Sequence, residues 1–69
     1  MANIAKVITV IGSSPTSFAE AAKVAVAEAA KTVRDIHGAD VVTMSAVVEN
    51  DQITEFRTTV NIAFGVERS

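Results

Sequence analysis

Few side chains in this sequence could bind a ligand or carry out catalysis, and they lie in two stretches. The first stretch, VRDIHGADVV at residues 33–42, contains the only histidine of the chain, His37, directly before Gly38. These two residues either form the rim of a binding site or end a helix. A glycine often ends a helix by adopting a positive φ, and a histidine cation near a helix C-terminus is favoured by the helix dipole. The residues alone leave both interpretations open.

The second stretch, at residues 53–67, contains Arg57. If the last two predicted strands form a hairpin, strand alternation places Arg57 opposite Ser45 on one face of a sheet. A guanidinium there could bind a phosphate or a carboxylate through two parallel hydrogen bonds. Alternatively, it could pair with Glu55, or with Glu49 of another subunit. The candidate ligand-binding residues are therefore His37, Gly38, Ser45 and Arg57.

Catalysis has little support in the sequence. The chain has no cysteine, no tyrosine and one histidine, and it has neither a serine in a nucleophile-elbow context nor a carboxylate pair at useful spacing on a rigid face. Glu49, Asp51 and Glu55 lie around the predicted hairpin tip, where a symmetric assembly could use their oxygen atoms to bind a divalent cation. Such a cluster is more often a solvated loop. We therefore predict a protein that is not an enzyme and has no metal site within one chain.

Length and composition favour a small protein that associates with copies of itself. Residues 1–69 have room for one domain with a thin core, and the absence of cysteine excludes stabilisation by disulfides. A net charge of −2 gives no basic surface for nucleic acid or for an anionic membrane. The apolar run near the N-terminus is too short and too interrupted to span a bilayer. We expect a soluble, cytoplasmic protein without nucleic-acid or membrane partners.

The first half of the chain predicts a strand followed by a helix. Residues 4–11, IAKVITVI, are rich in β-branched side chains and end at the turn-forming GSSPTS. Ser17 and Glu20 have the spacing of a capping box, which predicts a helix from about Phe18 to about Arg34. Its many alanines would let it lie close to a sheet or to another subunit. Its apolar positions, at steps of three and four residues, are Phe18, Ala22, Ala25, Val26, Ala29, Val33 and Ile36.

The second half predicts two strands with a period of two. The first runs from Ala39 to Glu49 and the next starts at about Ile53. NDQ, at residues 50–52, is the shortest loop that pairs their even-numbered positions with one another. One predicted apolar face consists of Val42, Met44, Ala46 and Val48 on the first strand and of Phe56, Val60, Ile62, Phe64 and Val66 on the second. The opposite face carries Val41, Thr43, Ser45, Val47 and Glu49 on the first strand and Glu55, Arg57, Thr59, Asn61 and Ala63 on the second.

A right-handed crossover then places the third strand between the first two, in a three-stranded antiparallel sheet with the helix on one face. The predicted fold class is thus α+β, with the order β-α-β-β. The second sheet face is left without a covering layer, and a sheet of this size with one helix is marginal alone. We predict that this face meets other subunits, although antiparallel sheets can also face water on one side. Val24, an apolar residue on the polar side of the helix, is expected at a subunit contact.

Two segments of the chain resemble the dodecin family. KVITVIGSSPTSFAEAAKVAVAEAAKTVRDI is similar to the first half of dodecins, where a lysine-containing strand, a G-[ST]-S-P-x-S-[FW] turn and an alanine-rich helix follow one another. ITEFRTTVNIAFGVE is similar to the last strand of that family. The resemblance implies a subunit of a hollow homododecamer that binds flavins, either FMN or riboflavin-like compounds, and that stores or buffers them without redox catalysis.

The same resemblance assigns family positions to two residues of this chain. The tryptophan that stacks on the flavin ring in the family falls on Gly38, and the glutamine that hydrogen-bonds the edge of the ring falls on Arg57. These differences predict reduced or altered flavin binding, with His37 as the only ring near the stacking position. The alternative is a dodecameric shell that binds another small anion or metal ions instead of flavin, or a purely structural assembly.

Overall fold

The computed structural model describes residues 3–67, so residues 1–2 and 68–69 of the predicted 1–69 domain lie outside it. The chain folds into one helix and one three-stranded antiparallel sheet in which β3 lies between β1 and β2. This arrangement confirms the predicted α+β class and the β-α-β-β order. The elements are β1 (Asn3–Ser14), α1 (Phe18–Ala30), β2 (Ile36–Glu49) and β3 (Gln52–Glu67).

The start of α1 follows from its capping serine and from a close approach to β1. The Ser17 hydroxyl accepts a hydrogen bond from the Glu20 backbone N–H at 3.0 Å, which satisfies one of the free donors of the first turn. The Thr58 hydroxyl donates to the Phe18 carbonyl at 2.9 Å and fastens the same turn to β3. A Cβ on Gly12 would contact the Ala21 carbonyl oxygen. The backbones of helix and strand therefore touch where both side chains are small.

The helix ends at Ala30 and not near Arg34 as predicted. Thr32 and Val33 both donate backbone hydrogen bonds to the Ala29 carbonyl, at 3.1 and 2.9 Å, which closes the last turn and redirects the chain. Asp35 then adopts φ 62°, a left-handed conformation that asparagine and aspartate tolerate better than most residues. Ile36, predicted on the helix, instead begins β2 and packs on the core.

The core is as thin as the chain length predicts. Its buried apolar side chains are Ala21, Ala25 and Ala29 on α1, and Val60 and Ile62 on β3. The predicted face included Ala25 and Ala29 but had Ala22 and Val26 in place of Ala21. Those two side chains are partly buried at the margin of the core. Phe18 packs edge-on against Phe56, with ring centroids 4.9 Å apart.

The β2–β3 hairpin has the predicted register but a different turn. Ser45 pairs with Arg57, and Thr43 with Thr59, as predicted from alternation. Asn50 and Asp51 alone form the loop, and both have positive φ, as in the two-residue turns that match strand twist. A register shift between Val47 and Val48 restores the pairing that a three-residue NDQ loop would have produced.

A second shift, between Val41 and Thr43, corrects the predicted faces of β2. Val41, predicted on the opposite face, pairs with Val60 on the helix side of the sheet, and Val42 is the extra residue of the bulge. The predicted apolar row Val42, Met44, Ala46 and Val48 is therefore wrong at Val42. A bulge adds one residue to the strand, so every side chain before it points to the opposite face from the one that simple alternation predicts. Met44, Ala46 and Val48 keep their predicted side.

The subunit is long and flat. Its principal extents are 55 × 19 × 13 Å, and its radius of gyration is 14.4 Å, whereas a compact domain of this length would have about 11 Å. Its accessible surface is 4970 Å², compared with about 4100 Å² for a typical monomer of the same mass. Because β1 ends opposite Phe56, residues 47–55 form a two-stranded arm beyond the helix.

Candidate ligand-binding face

The sheet has a face without a covering layer, which we call the open face. It lies opposite α1. Val60 and Ile62 pack with the helix in the core, and a Cβ on Gly12 would also point at the helix, so the residues next to them in sequence point to the other side of the sheet. Strand pairing assigns its members: Val7, Thr9, Ile11 and Ser13 on β1, Glu55, Arg57, Thr59, Asn61 and Ala63 on β3, and Gly38, Asp40, Thr43, Ser45 and Val47 on β2.

Arg57 lies on the central strand of this face, between a hydroxyl on each side. It pairs with Ser13 of β1 and with Ser45 of β2, so three hydrogen-bond donors lie in one row across the sheet. The Arg57 Nε donates to Glu55 Oε2 at 2.6 Å, and the two side chains are 51% and 37% exposed. Within one subunit, Arg57 therefore pairs with Glu55.

The sequence predicted Glu55 as an ion-pair partner of Arg57 and as part of the acidic group near the hairpin tip, but not as a ligand-binding residue. The available signal was its spacing, since residues two apart on a strand project from the same face. Ser13 was also missed, because its pairing with Arg57 depends on where β1 lies against β3.

Gly38 and His37 lie at the other end of β2. Gly38 does not have the positive φ predicted for a helix end, because the helix stops eight residues earlier and Asp35 makes the turn. His37 is likewise not a helix C-terminal cation. It is an exposed residue within β2, at a register shift between Ile36 and Gly38. A Cβ at Gly38 would meet only Ala63 Cβ, at 3.7 Å, so this position has room for a side chain.

Gly65, two residues beyond Ala63, lies where the chain has no space for a side chain. A Cβ on Gly65 would overlap the Asp35 carboxylate, and the His37 ring lies 3.9 Å from the same point. The Gly65 backbone N–H donates to the Asp35 carbonyl at 3.0 Å. Asp35, Gly65 and His37 therefore pack against one another at this end of the sheet. This packing positions the His37 ring near Gly38.

One protomer does not bring the four candidates into one pocket. Gly38 lies opposite Ala63, six residues from Arg57 along β3, and a strand rise of about 3.4 Å per residue separates the two positions by about 20 Å. Between them, the Thr9 hydroxyl donates to Asn61 Oδ1 at 2.7 Å. Ser45 and Arg57 form one group and His37 and Gly38 another, and within one subunit the two groups are too far apart for a single ring system to touch both. The role of all four residues in binding remains a prediction.

The open face carries no phenylalanine, tyrosine or tryptophan in the part of the chain that the structure describes. The chain has three phenylalanines and no tyrosine or tryptophan, and Phe56 and Phe64 alternate with the open-face residues of β3. Phe18 packs on Phe56 at the helix side. A ring-shaped ligand on this face would therefore lie on aliphatic side chains, on backbone or on His37.

Residues 3–67 also contain no cluster of three metal-ligating side chains. In the same range, no helix combines the length and hydropathy needed to cross a membrane.

Comparison with known proteins gives one consistent family. A family model described as dodecin matches residues 4–67. A solved dodecin from Streptomyces coelicolor is 25% identical, with a TM-score of 0.91 over 97% of this chain and 96% of that chain. Two further structures show the same fold at 20% identity: a dodecin from Streptomyces davaonensis (TM-score 0.91, covering 96% of this chain and 97% of that one) and a Thermus thermophilus protein (TM-score 0.93, 99% and 100%). No curated protein sequence matches the chain.

Proposed function

Because this chain belongs to the dodecin family, we propose that it assembles into a hollow homododecamer that binds and stores small planar ligands of the flavin class between its subunits. The observation that carries this proposal is the open face, which combines aliphatic and hydrogen-bonding side chains and has no covering layer within the subunit. Dodecins bind flavins, and FMN and riboflavin are the ligands to test first. We assign the protein a binding role and no catalytic one.

The shape of the subunit supports assembly. An isolated two-stranded arm is marginal in water, and its paired side chains Val48 and Ile53 are 62% and 53% exposed. Val41 and Met44 lie on the helix side of β2 but are not covered by α1, and each is more than half exposed. Contacts with other copies of the chain would bury these side chains, at about 25 cal/mol for each Å² of apolar surface.

The separation of the candidate residues supports a site shared between subunits. Arg57 and Gly38 lie about 20 Å apart along one sheet, which exceeds the reach of a single planar ring system. In a symmetric assembly, the Arg57 end of one subunit can face the Gly38 end of another. We therefore propose that each pocket takes residues from more than one protomer.

The same face predicts weak flavin binding. An aromatic side chain stacked on a flat ligand contributes about 0.5–1.5 kcal/mol beyond area burial, and residue 38 is a glycine. This absence favours a second candidate function, a dodecameric shell that binds no flavin and holds another small anion or ions at its symmetry axes, or has a structural role alone.

A fluorescence titration separates the two candidates. We expect FMN and riboflavin fluorescence to be quenched on addition of the purified protein, with saturation at a fixed ratio of ligand to protomer. Mass photometry on the same sample is expected to give a dodecamer of the 7.2 kDa chain. A dodecamer that leaves flavin fluorescence unchanged at high protein concentration would support the non-flavin shell. A monomer or dimer would contradict both candidates.

Val24→Asp tests where the subunits meet. Val24 is 40% exposed on α1, and a carboxylate at a subunit contact would be desolvated without a partner. We expect the variant to lose the dodecamer in mass photometry. Thr32→Asp adds the same charge at an exposed residue beyond the helix and is expected to assemble normally. A dodecameric Val24→Asp variant of unchanged stability would show that this helix face is free.

A further inference from the structure

The open face carries more carboxylates than basic side chains. Among the lysines and arginines of residues 3–67, Arg57 alone lies on it. Lys6 alternates with the open-face residues of β1 and is on the helix side. The remaining three, Lys23, Lys31 and Arg34, lie on α1 or directly after it. The carboxylates of the face include Asp40, opposite Asn61, and Glu55, and Glu49 continues the row of Val47 on the arm.

The one arginine of this face is already paired with a carboxylate of its own chain. Arg57 Nε lies 2.6 Å from Glu55 Oε2, and both side chains are partly exposed. An exposed pair of this kind adds little to the stability of a fold. It does change what a ligand meets, because the positive charge of Arg57 is largely balanced before any ligand arrives.

The Gly38 end of the face has the same arrangement. Gly65 follows Ala63 on the open side of β3, and the Asp35 carboxylate lies where a Cβ of Gly65 would be. The His37 ring is 3.9 Å from that point. A positive charge on His37 would therefore also lie beside a carboxylate of the same chain. Neither end of the face offers an anion an unbalanced cation.

From this distribution of charge we infer that the open face discriminates against ligands that carry a phosphate group and binds an uncharged planar ligand, such as riboflavin, in preference to FMN. The inference rests on the proposed function, because it assigns a charge to the ligand of the same face. It also assigns a role to Glu55 as the residue that determines this specificity. Without Glu55, the Arg57 guanidinium could bind a phosphate through two parallel hydrogen bonds.

The range of electrostatic repulsion makes this discrimination independent of where the phosphate lies along the face. A phosphate monoester carries a charge of about −1.5 to −2 at neutral pH, and charges act over about 10 Å at 0.1 M salt. Asp40 lies between the two ends of the face, which are about 20 Å apart. A phosphate at either end or in the middle is therefore close to Glu55, Asp40 or Asp35.

The test compares riboflavin with FMN, which differ by the phosphate group alone, in fluorescence titrations of the assembled protein. At about 0.02 M NaCl we expect the Kd for FMN to be about tenfold higher than the Kd for riboflavin, because few ions screen the repulsion. At about 0.5 M NaCl the two Kd values should agree within about twofold. The Kd for riboflavin should change little with salt.

Glu55→Gln removes the charge and keeps the size of the side chain. We expect it to strengthen FMN binding at low salt about tenfold, because Arg57 is then unbalanced, and to change riboflavin binding by less than about twofold. Glu28→Gln is the matched control, since Glu28 pairs with Lys31 at 2.8 Å on α1. It removes the same charge from an ion pair on the other side of the subunit and should leave the ratio of the two Kd values unchanged.

Three results would contradict the inference. Equal affinity for the two flavins at low salt, or tighter binding of FMN, would overturn it and leave the proposed function standing, and this comparison needs no variant to fold. A preference for riboflavin that persists at high salt and in Glu55→Gln would have a steric origin and would also overturn it. Absence of binding for both flavins would overturn the proposed function and the inference together.

Discussion

Gly12→Ala is expected to destabilise the protein by about 3 kcal/mol or more, the upper range for overpacking a close contact. The added Cβ would overlap the Ala21 carbonyl oxygen and lie 2.8 Å from the Ala25 backbone nitrogen. Both are backbone atoms of α1, so relief requires the whole helix to move away from β1. Such a movement would open the core, in which Ala21 and Ala25 are completely buried. Urea denaturation followed by circular dichroism, at one fixed protomer concentration, measures the change.

Gly38→Ala is the matched control for this prediction. Its Cβ would meet only Ala63 Cβ at 3.7 Å, an ordinary contact, and Gly38 does not have a positive φ. Alanine restricts the unfolded chain more than glycine does, so we expect no loss of stability and a gain of up to about 1 kcal/mol. Equal losses in the two variants would contradict the close helix–strand contact at Gly12.

Gly38→Trp is expected to give the largest change in flavin affinity. The position opens onto the face that carries Arg57, and its backbone conformation suits any residue. A stacked indole should lower the Kd for riboflavin and FMN at least fivefold, which corresponds to about 1 kcal/mol of ring contact. Fluorescence titration of assembled protein measures the change, and mass photometry confirms that the dodecamer persists.

Gly38→Leu separates stacking from simple apolar contact at the same position. Leucine adds a bulky side chain without a flat π-face, so we expect it to recover a smaller part of the gain. A folded, dodecameric Gly38→Trp variant with the affinity of the unchanged protein would show that residue 38 does not contact the ligand. The shell without a flavin site would then be the better description of this protein.

Local patterns in the sequence were sufficient for most of the fold. The β-branched run before GSSPTS predicted β1, and the Ser17–Glu20 spacing predicted the start of α1, because each depends on residues that are neighbours in the chain. Alternation along β2 and β3 predicted the pairing of Ser45 with Arg57. The grouping of Arg57 with Ser45 could therefore be predicted from the sequence alone.

The end of the helix and the faces of β2 required the tertiary structure. Val33 and Ile36 continue the helical period, yet the chain leaves the helix after Ala30, and Ile36 packs on the core from β2, where it lies opposite Phe64. The extra residues of the three bulges are His37 and Val42 on β2 and Thr54 on β3, and none of the three is a glycine or a proline that would mark the bulge in the sequence. They depend on how two twisted strands fit each other and the helix, which no local pattern records.

The candidate site likewise depends partly on the sequence alone and partly on the tertiary structure. The residue types at positions 38 and 57 follow from the sequence and already predict that an aromatic stack is missing. Three findings depended on packing: that Gly38 is open while Gly65 is closed by Asp35, that Arg57 is held by Glu55 of its own chain, and that about 20 Å separates the two ends of the face. Contacts of this kind join residues that are distant in the chain or depend on side-chain direction. They are determined only when the sheet, its bulges and the turn at Asp35 are formed together.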